Sequence, residues 1–221
     1  MFPPPRFFPS DSLSIPELML RHRRDSDVAI HFAREGVLGV ERVTWKDFRE
    51  RIRRARSAMV NSGVASGDVI AAVISNSVDA MAICLASLSI GAIWSSSSCD
   101  LGSAGIVDRY SQISPKMIFA DNGYIYAGKT FRLGDRIVDW SHKLGRDTSQ
   151  LMDVVIIPYC NFEVDLKRIH KGCSLQSFLE RDSGERLSFK IVPFSHPAFI
   201  LYSSGTVSSR APANVEWPKL P

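Results

Sequence analysis

Four small residues in a row, Ser203, Ser204, Gly205 and Thr206, follow directly on the apolar run Ala198, Phe199, Ile200, Leu201 and Tyr202. Glycine at the third place admits positive φ and close approach, so consecutive backbone N–H groups can turn toward one anion. The hydroxyls of Ser203, Ser204 and Thr206 add donors suited to phosphate oxygens. A strand entering such a loop fixes its position. On composition alone a Ser/Thr/Gly turn after a strand is more often only a turn, so the surrounding elements must decide between the two.

The other chemically capable residues show no comparable pattern. Asp68, Asp79 and Asp108 are spaced to cap helices or line solvent, not to form an acid/base pair. His22, His31, His142 and His170 are scattered without metal-ligand spacing. Cys84, Cys99, Cys160 and Cys173 form no C-x-x-C pair, which favours buried, reduced thiols over zinc or disulfides. Trp94 reads as a core residue at a strand end. The sequence therefore predicts no metal site.

The elements that would position the loop follow from periodicity. A lead-in over 1–27 is irregular, with Pro3, Pro4, Pro5, Pro9 and Pro16 interrupting helix and a short helical stretch over 14–24. Residues 28–32 read as a strand, with Gly36 and Gly39 marking turns. Trp45, Phe48, Ile52, Ala55 and Met59 step by three and four, which predicts a helix over 45–61, capped at Thr44 and stopped at Gly63. Its arginines, Arg49, Arg51, Arg53, Arg54 and Arg56, are expected to form a solvated face. Strands are predicted over 68–74, from 92, over 116–121, over 153–158 and over 198–202. Helices are predicted from Asn76 or Ser77 to Ile90, from Ser103 to Ile113 and over 174–180. Strand and helix alternating in this way predict an α/β fold of right-handed βαβ units with a parallel sheet.

The 221 residues carry a net charge of +4, with 45% apolar and 23% charged residues. That composition is ordinary for a globular protein and too weakly basic to argue for nucleic acid. The start has no basic region followed by an apolar stretch, and the run 80–94 is too short to span a bilayer. The expectation is a cytosolic protein with neither membrane nor nucleic-acid partner.

Residues 199–206, preceded by His196 and Pro197, resemble the start of the phosphate loop of the adenylate-forming acyl-CoA synthetases. The stretch from Trp94 through Asp100 and Gly102, continuing into Gly105, Asp108, Arg109, Tyr110, Gln112 and Ile113, then Pro115, Lys116, Phe119 and Asp121, is similar to the acetoacetate-activating branch in particular. Thr44 and Trp45, Gly63 and Val64, Gly67 and Asp68, and Asn76 and Ser77 match the general framework. The resemblance covers roughly 5–206. It implies the N-terminal part of an AMP-binding adenylation domain over 28–206. The implied reaction joins ATP and acetoacetate into an acyl-adenylate, which coenzyme A converts to the thioester, with Mg²⁺ assisting. By the same resemblance Ser203, Ser204, Gly205 and Thr206 would hold the ATP phosphates, and Lys129, with Asp100 and Gly102, would lie toward coenzyme A. No catalytic residue is assigned.

The likeness stops at Thr206. The family loop goes on with threonine, glycine and a Pro-Lys pair, whereas this chain continues Val207, Ser208, Ser209, Arg210. Residues 207–221 read as an irregular tail outside the family pattern. The expectation is a chain truncated inside the loop, inactive alone and with an unpaired apolar sheet edge. The competing expectation is a non-catalytic nucleotide- or partner-binding fragment that regulates the longer ligase.

Overall fold

The structure is a computed structural model and describes residues 7–202. Within the lead-in, β1 (Ser12–Leu13) is followed by α1 (Ile15–Leu20), where Ser14 caps the helix and Pro16 sits in the first turn. Next come β2 (Val28–Phe32) and β3 (Glu41–Thr44), which pair antiparallel. The helix α2 (Trp45–Asn61) starts where its cap predicts: Thr44 Oγ1 accepts from the Asp47 N–H at 3.2 Å and donates to the Asp47 carboxylate at 2.7 Å. Gly63, at φ +87°, follows its end.

The α/β core then unfolds in order. It comprises β4 (Val69–Val73), α3 (Val78–Ile90), β5 (Ile93–Ser97), α4 (Ser103–Ile113) and β6 (Met117–Asp121). A hairpin follows, β7 (Gly123–Tyr126) and β8 (Lys129–Arg132), then α5 (Gly134–Asp147) and β9 (Asp153–Ile157). The described chain ends with β10 (Gly172–Ser174), α6 (Leu175–Leu179) and β11 (Val192–Pro193), the last paired antiparallel with β1. Neither the hairpin nor α5 was expected from the sequence, although Ile137, Trp140 and Leu144 of α5 are buried at helical spacing.

Five strands form one parallel sheet in the order β10-β9-β6-β4-β5. The central strands β4, β6 and β9 are apolar over nearly their whole length because both faces are covered, whereas the edge strands β5 and β10 carry serines. Ile70, Ala72, Phe119 and Val155 face the cluster with Phe48, Ile52 and Met59 of α2 and Ile83 and Leu85 of α3. Ala71, Val73, Ile118 and Val154 face Ile106 and Tyr110 of α4 and Trp140 and Leu144 of α5. Successive residues point to opposite faces, so one continuous apolar run serves two cores.

Two sequence expectations are corrected. The arginines of α2 are not a free solvated face. Arg49 pairs with Asp25 at 2.7 Å, Arg51 with Glu41 and Asp79 at 3.2 Å, and Arg53 with Glu50 and Asp182 at 2.7 Å. The helix surface is a docking strip for loops, because Asp182, Ser183 and the Arg181 carbonyl all bond to it. Residues 198–202 are not a full strand either. They make one parallel bridge, Phe199 opposite Trp94, with Trp94 N–H donating to the Ala198 carbonyl and Ile200 N–H to the Trp94 carbonyl, both at 2.9 Å. Beyond that, the Ser95 hydroxyl takes the Ile200 carbonyl at 2.9 Å in place of a ladder bond.

Candidate functional site

Parallel strands end at one edge, and ligands of such sheets bind in the crevice beyond the carboxyl ends, where successive strands depart to opposite sides. Here β4 is that point. The next strand in the chain, β5, lies on one side of it and the strand after, β6, on the other. The segments leaving this edge are polar: Ser75, Asn76 and Ser77 after β4, Ser98 to Gly102 after β5, and Asp121 and Asn122 at the end of β6. Ser77 caps α3 there, its hydroxyl accepting from the Ala80 N–H at 3.0 Å.

Residues 198–202 run parallel to β5 and therefore toward the same edge. Tyr202, the last described residue, is pinned there by its hydroxyl, which donates to the Arg109 carbonyl at 2.6 Å. Ser203, Ser204, Gly205 and Thr206, the phosphate-binding candidates, lie outside the described residues, as do 207–221.

Lys129 opens β8 directly after the hairpin turn. Ala127 and Gly128 both have positive φ, 49° and 73°, the two-residue turn that suits the twist of paired strands. The free N–H groups of that turn are taken by Glu35, whose carboxylate accepts from Ala127 at 3.1 Å and also from Gly128. Lys129 itself is exposed. Asp100 is exposed on the β5–α4 turn, and Gly102 stands at the N-cap of α4 without a side-chain cap. Lys129 lies on the hairpin that follows β6, whereas the Asp100–Gly102 turn follows β5, on the other side of β4.

Sequence reasoning gave Asp121 no role, yet it is the most unusual ionisable group at this edge. It ends an otherwise apolar strand and is fully buried. Its Oδ2 accepts from the Ser75 N–H at 2.7 Å and lies 3.6 Å from the Cys99 thiol, while Oδ1 has no partner among the described residues. Burial pushes its pKa up to about 6, against the opposing pull of the Ser75 bonds. The same burial, reinforced by the Asp121 charge, pushes the Cys99 thiol up to about 12. The signal in the sequence was a single acid closing a run of four apolar residues.

All four cysteines are free. Burial raises Cys84 to about 12 and Cys173 to about 11, so the thiolates needed for nucleophilic or metal chemistry are disfavoured. Among the described residues no group of three or more His, Cys, Asp or Glu side chains is placed to hold a metal ion. None of these residues is assigned to Mg²⁺. A groove of about 800 Å³ opens beside the edge, between Ile74, Met81, Leu88, Trp94 and Phe199, with Ser75 and Ser97 at its rim.

A doubly covered parallel sheet with polar segments leaving its carboxyl edge is a frame common among nucleotide-binding α/β proteins. The family profile described as AMP-binding enzyme matches residues 21–209, and the chain belongs to that family. It is similar to the acetoacetyl-CoA synthetase of Macaca fascicularis, 37% identical over 210 residues, which are 93% of this chain and 31% of the relative. The acetoacetyl-coenzyme A synthetase of Rhizobium meliloti is 35% identical over 202 residues, 91% of this chain and 30% of the relative. Malonamoyl-CoA synthetase vrtB of Penicillium aethiopicum is 32% identical over 217 residues. Among solved structures, the acetoacetyl-CoA synthetase from Streptomyces lividans superposes with a TM-score of 0.80 at 27% identity, covering 92% of this chain and 30% of that one. The chain thus spans about a third of the length of the relatives it matches. Among its described residues no helix is long and apolar enough to cross a membrane.

Proposed function

We propose that this chain is the phosphate-binding portion of an acetoacetate–CoA ligase, which forms acetoacetyl-CoA, AMP and pyrophosphate from ATP, acetoacetate and coenzyme A. The observation that carries the reading is the similarity to acetoacetyl-CoA synthetases along 93% of the chain, together with residues 198–202, which run parallel to β5 toward the edge where such folds bind anions and are followed in the sequence by the segment Ser203, Ser204, Gly205 and Thr206. Backbone N–H groups and hydroxyls of that segment would hold the β- and γ-phosphates while negative charge builds on the departing pyrophosphate. Lys129, exposed on its hairpin, would contact the coenzyme A phosphates, and Asp100 and Gly102 would lie near the pantetheine path. Acetoacetate and malonamate share a carbonyl on the carbon next but one to the carboxylate, so the acyl partner is a short 3-oxo acid. The protein works in the cytosol without nucleic-acid partners. The pairing of the α2 arginines with carboxylates of the same chain supports the latter.

Because the chain spans 31% of its relatives' length, the isolated 221 residues are expected to bind triphosphate without completing the reaction. Isothermal titration with ATP and with inorganic tripolyphosphate tests the first half. Acetoacetate-dependent exchange of labelled pyrophosphate into ATP tests the second. Absence of any triphosphate binding would remove the phosphate-site assignment, and exchange well above background would show that these residues suffice for adenylation.

A further inference from the structure

The loop between β2 and β3, residues 33–40, has both roots fixed, because Phe32 pairs with Glu41 at its base. Its tip is anchored in neither core: Val37 and Val40 are more than half exposed and Leu38 is fully exposed. Three consecutive residues hold it instead. The Arg34 guanidinium donates to the Tyr159 carbonyl and lies 4.5 Å from the centroid of the Tyr159 ring, within cation–π range. The Glu35 carboxylate accepts from the Ala127 N–H at 3.1 Å and from the Gly128 N–H, in the turn of the β7–β8 hairpin. Gly36 brings its backbone against β7, where a Cβ would lie 2.6 Å from Ile125 Cδ1. The surfaces gripped in this way are already fastened to each other. Asn122, at the root of the hairpin, donates to the Cys160 and Phe162 carbonyls and accepts from the Cys160 N–H, all at 2.8 Å.

Two cavities flank the loop at the carboxyl edge of the sheet. One of about 450 Å³ lies between the loop and the first turn of α3, and one of about 360 Å³ runs along residues 158–163, beyond β9. Arg34, Pro158 and Tyr159 line both, so the contact of Arg34 with Tyr159 is the partition between them. We propose that residues 33–40 are a lid over this part of the edge: latched by Arg34 to Tyr159 and by Glu35 to the hairpin turn, it divides the crevice in two, and its lifting joins both cavities into one cleft. The lid is independent of the phosphate-site and coenzyme A readings above. The physical argument is one of anchoring. A loop with buried side chains opens only with its core, whereas one held by a few solvent-accessible polar contacts opens locally. Gly36 and Gly39, at φ +79° and +94°, supply bending points between the fixed roots. Arg34 and Glu35 are adjacent in the chain, so the two latches release together.

The test is amide hydrogen exchange read by NMR on the full 221-residue chain, unaltered and with Glu35→Ala or Arg34→Ala. Exchange at Ala127 and Gly128 reports the Glu35 latch. Exchange at Ile93, whose N–H donates to the Asp68 carbonyl at 2.8 Å at the opposite edge of the sheet, reports the fold. Glu35→Ala should speed exchange at Ala127 and Gly128 by about tenfold with Ile93 unchanged, because only local contacts are lost. Arg34→Ala decides the coupling. Arg34 touches neither amide, so faster exchange there, by about threefold or more, reports release of the lid as a unit. In Glu35→Ala the Tyr159 ring resonances should also move toward those of free tyrosine, as Arg34 leaves the ring with the lid. Unprotected Ala127 and Gly128 amides in the unaltered chain would overturn the latch. Unaltered exchange at both amides in Arg34→Ala, or unmoved Tyr159 resonances in Glu35→Ala, would overturn the lid in favour of two separate contacts. Should Ile93 exchange rise in either alanine variant, Arg34→Lys, which keeps the charge but loses the planar contact, and Glu35→Gln carry the same comparison in side chains nearer in size.

Discussion

Asp121 illustrates how much one side chain can cost a fold. Its folded pKa, about 6, lies above the ordinary 3.8, so the folded state holds its proton across a pH range where the unfolded chain has released it. The unfolded state then binds fewer protons, and stability falls as pH rises from about 4 to about 6, by roughly 3 kcal/mol for a shift of this size. The loss is complete above pH 6. Asp121→Asn removes the titration while keeping an oxygen for the Ser75 N–H. Urea unfolding at pH 4, 5, 6 and 7 should therefore show a flatter profile for the variant than for the parent across this window. Equal slopes would mean that Asp121 is paired in solution.

At the scale of elements, α3 depends on its ends. Gly91 sits at φ +80°, and a Cβ there would lie 2.6 Å from the Ser66 hydroxyl oxygen and 3.2 Å from Val192. Gly91→Ala combines left-handed strain with that close approach and should destabilise by about 2 kcal/mol or more, read as a lower urea midpoint. The strap formed by residues 181–185 depends on α2. Arg53 bonds both oxygens of Asp182, at 2.9 and 2.7 Å, and both side chains are more than four-fifths shielded from solvent. This pairing holds the Asp182 carboxyl below the usual carboxylate range. Arg53→Ala leaves that carboxylate with the Gly184 N–H and the more distant Arg54 at 3.9 Å, and should cost about 2 kcal/mol. It should also make the strap the first site of limited proteolysis. If cleavage still begins elsewhere, the strap is held by the Ser57–Ser183 contacts instead.

The whole molecule presents an unusual outer surface for a chain with two well-filled cores. The 800 Å³ groove between α1, α3, β5 and Phe199 is largely apolar, and Met19, Met81 and Phe199 in its lining are exposed. Among the described residues the outer edge of β5 is bordered only by the single bridge to Phe199. The folded chain should therefore enhance the fluorescence of anilinonaphthalene sulfonate, and Met81→Lys, placed on the groove wall, should roughly halve the signal without lowering the unfolding midpoint. No enhancement in a chain with a cooperative unfolding transition would show that the groove is closed in solution.

The sequence by itself determined the βαβ alternation, the parallel sheet and most of its boundaries. Thr44, Ser77 and Gly91 are local signals whose chemistry does not depend on the rest of the chain, and a fully apolar strand such as β4 can only be a doubly covered one. It also carried the likeness to acetoacetate-activating ligases through residues 94–121. Tertiary structure alone decided which arginines of α2 meet which carboxylates, since Asp182 lies 129 residues from Arg53. It decided that Asp121, Ser75 and Cys99 meet, because only the strand order places the ends of β4, β5 and β6 together. It also reduced the strand expected at 198–202 to one bridge, between Phe199 and Trp94. Spacing along a chain reports which face a residue occupies, whereas contacts between elements depend on a packing geometry that no local window contains.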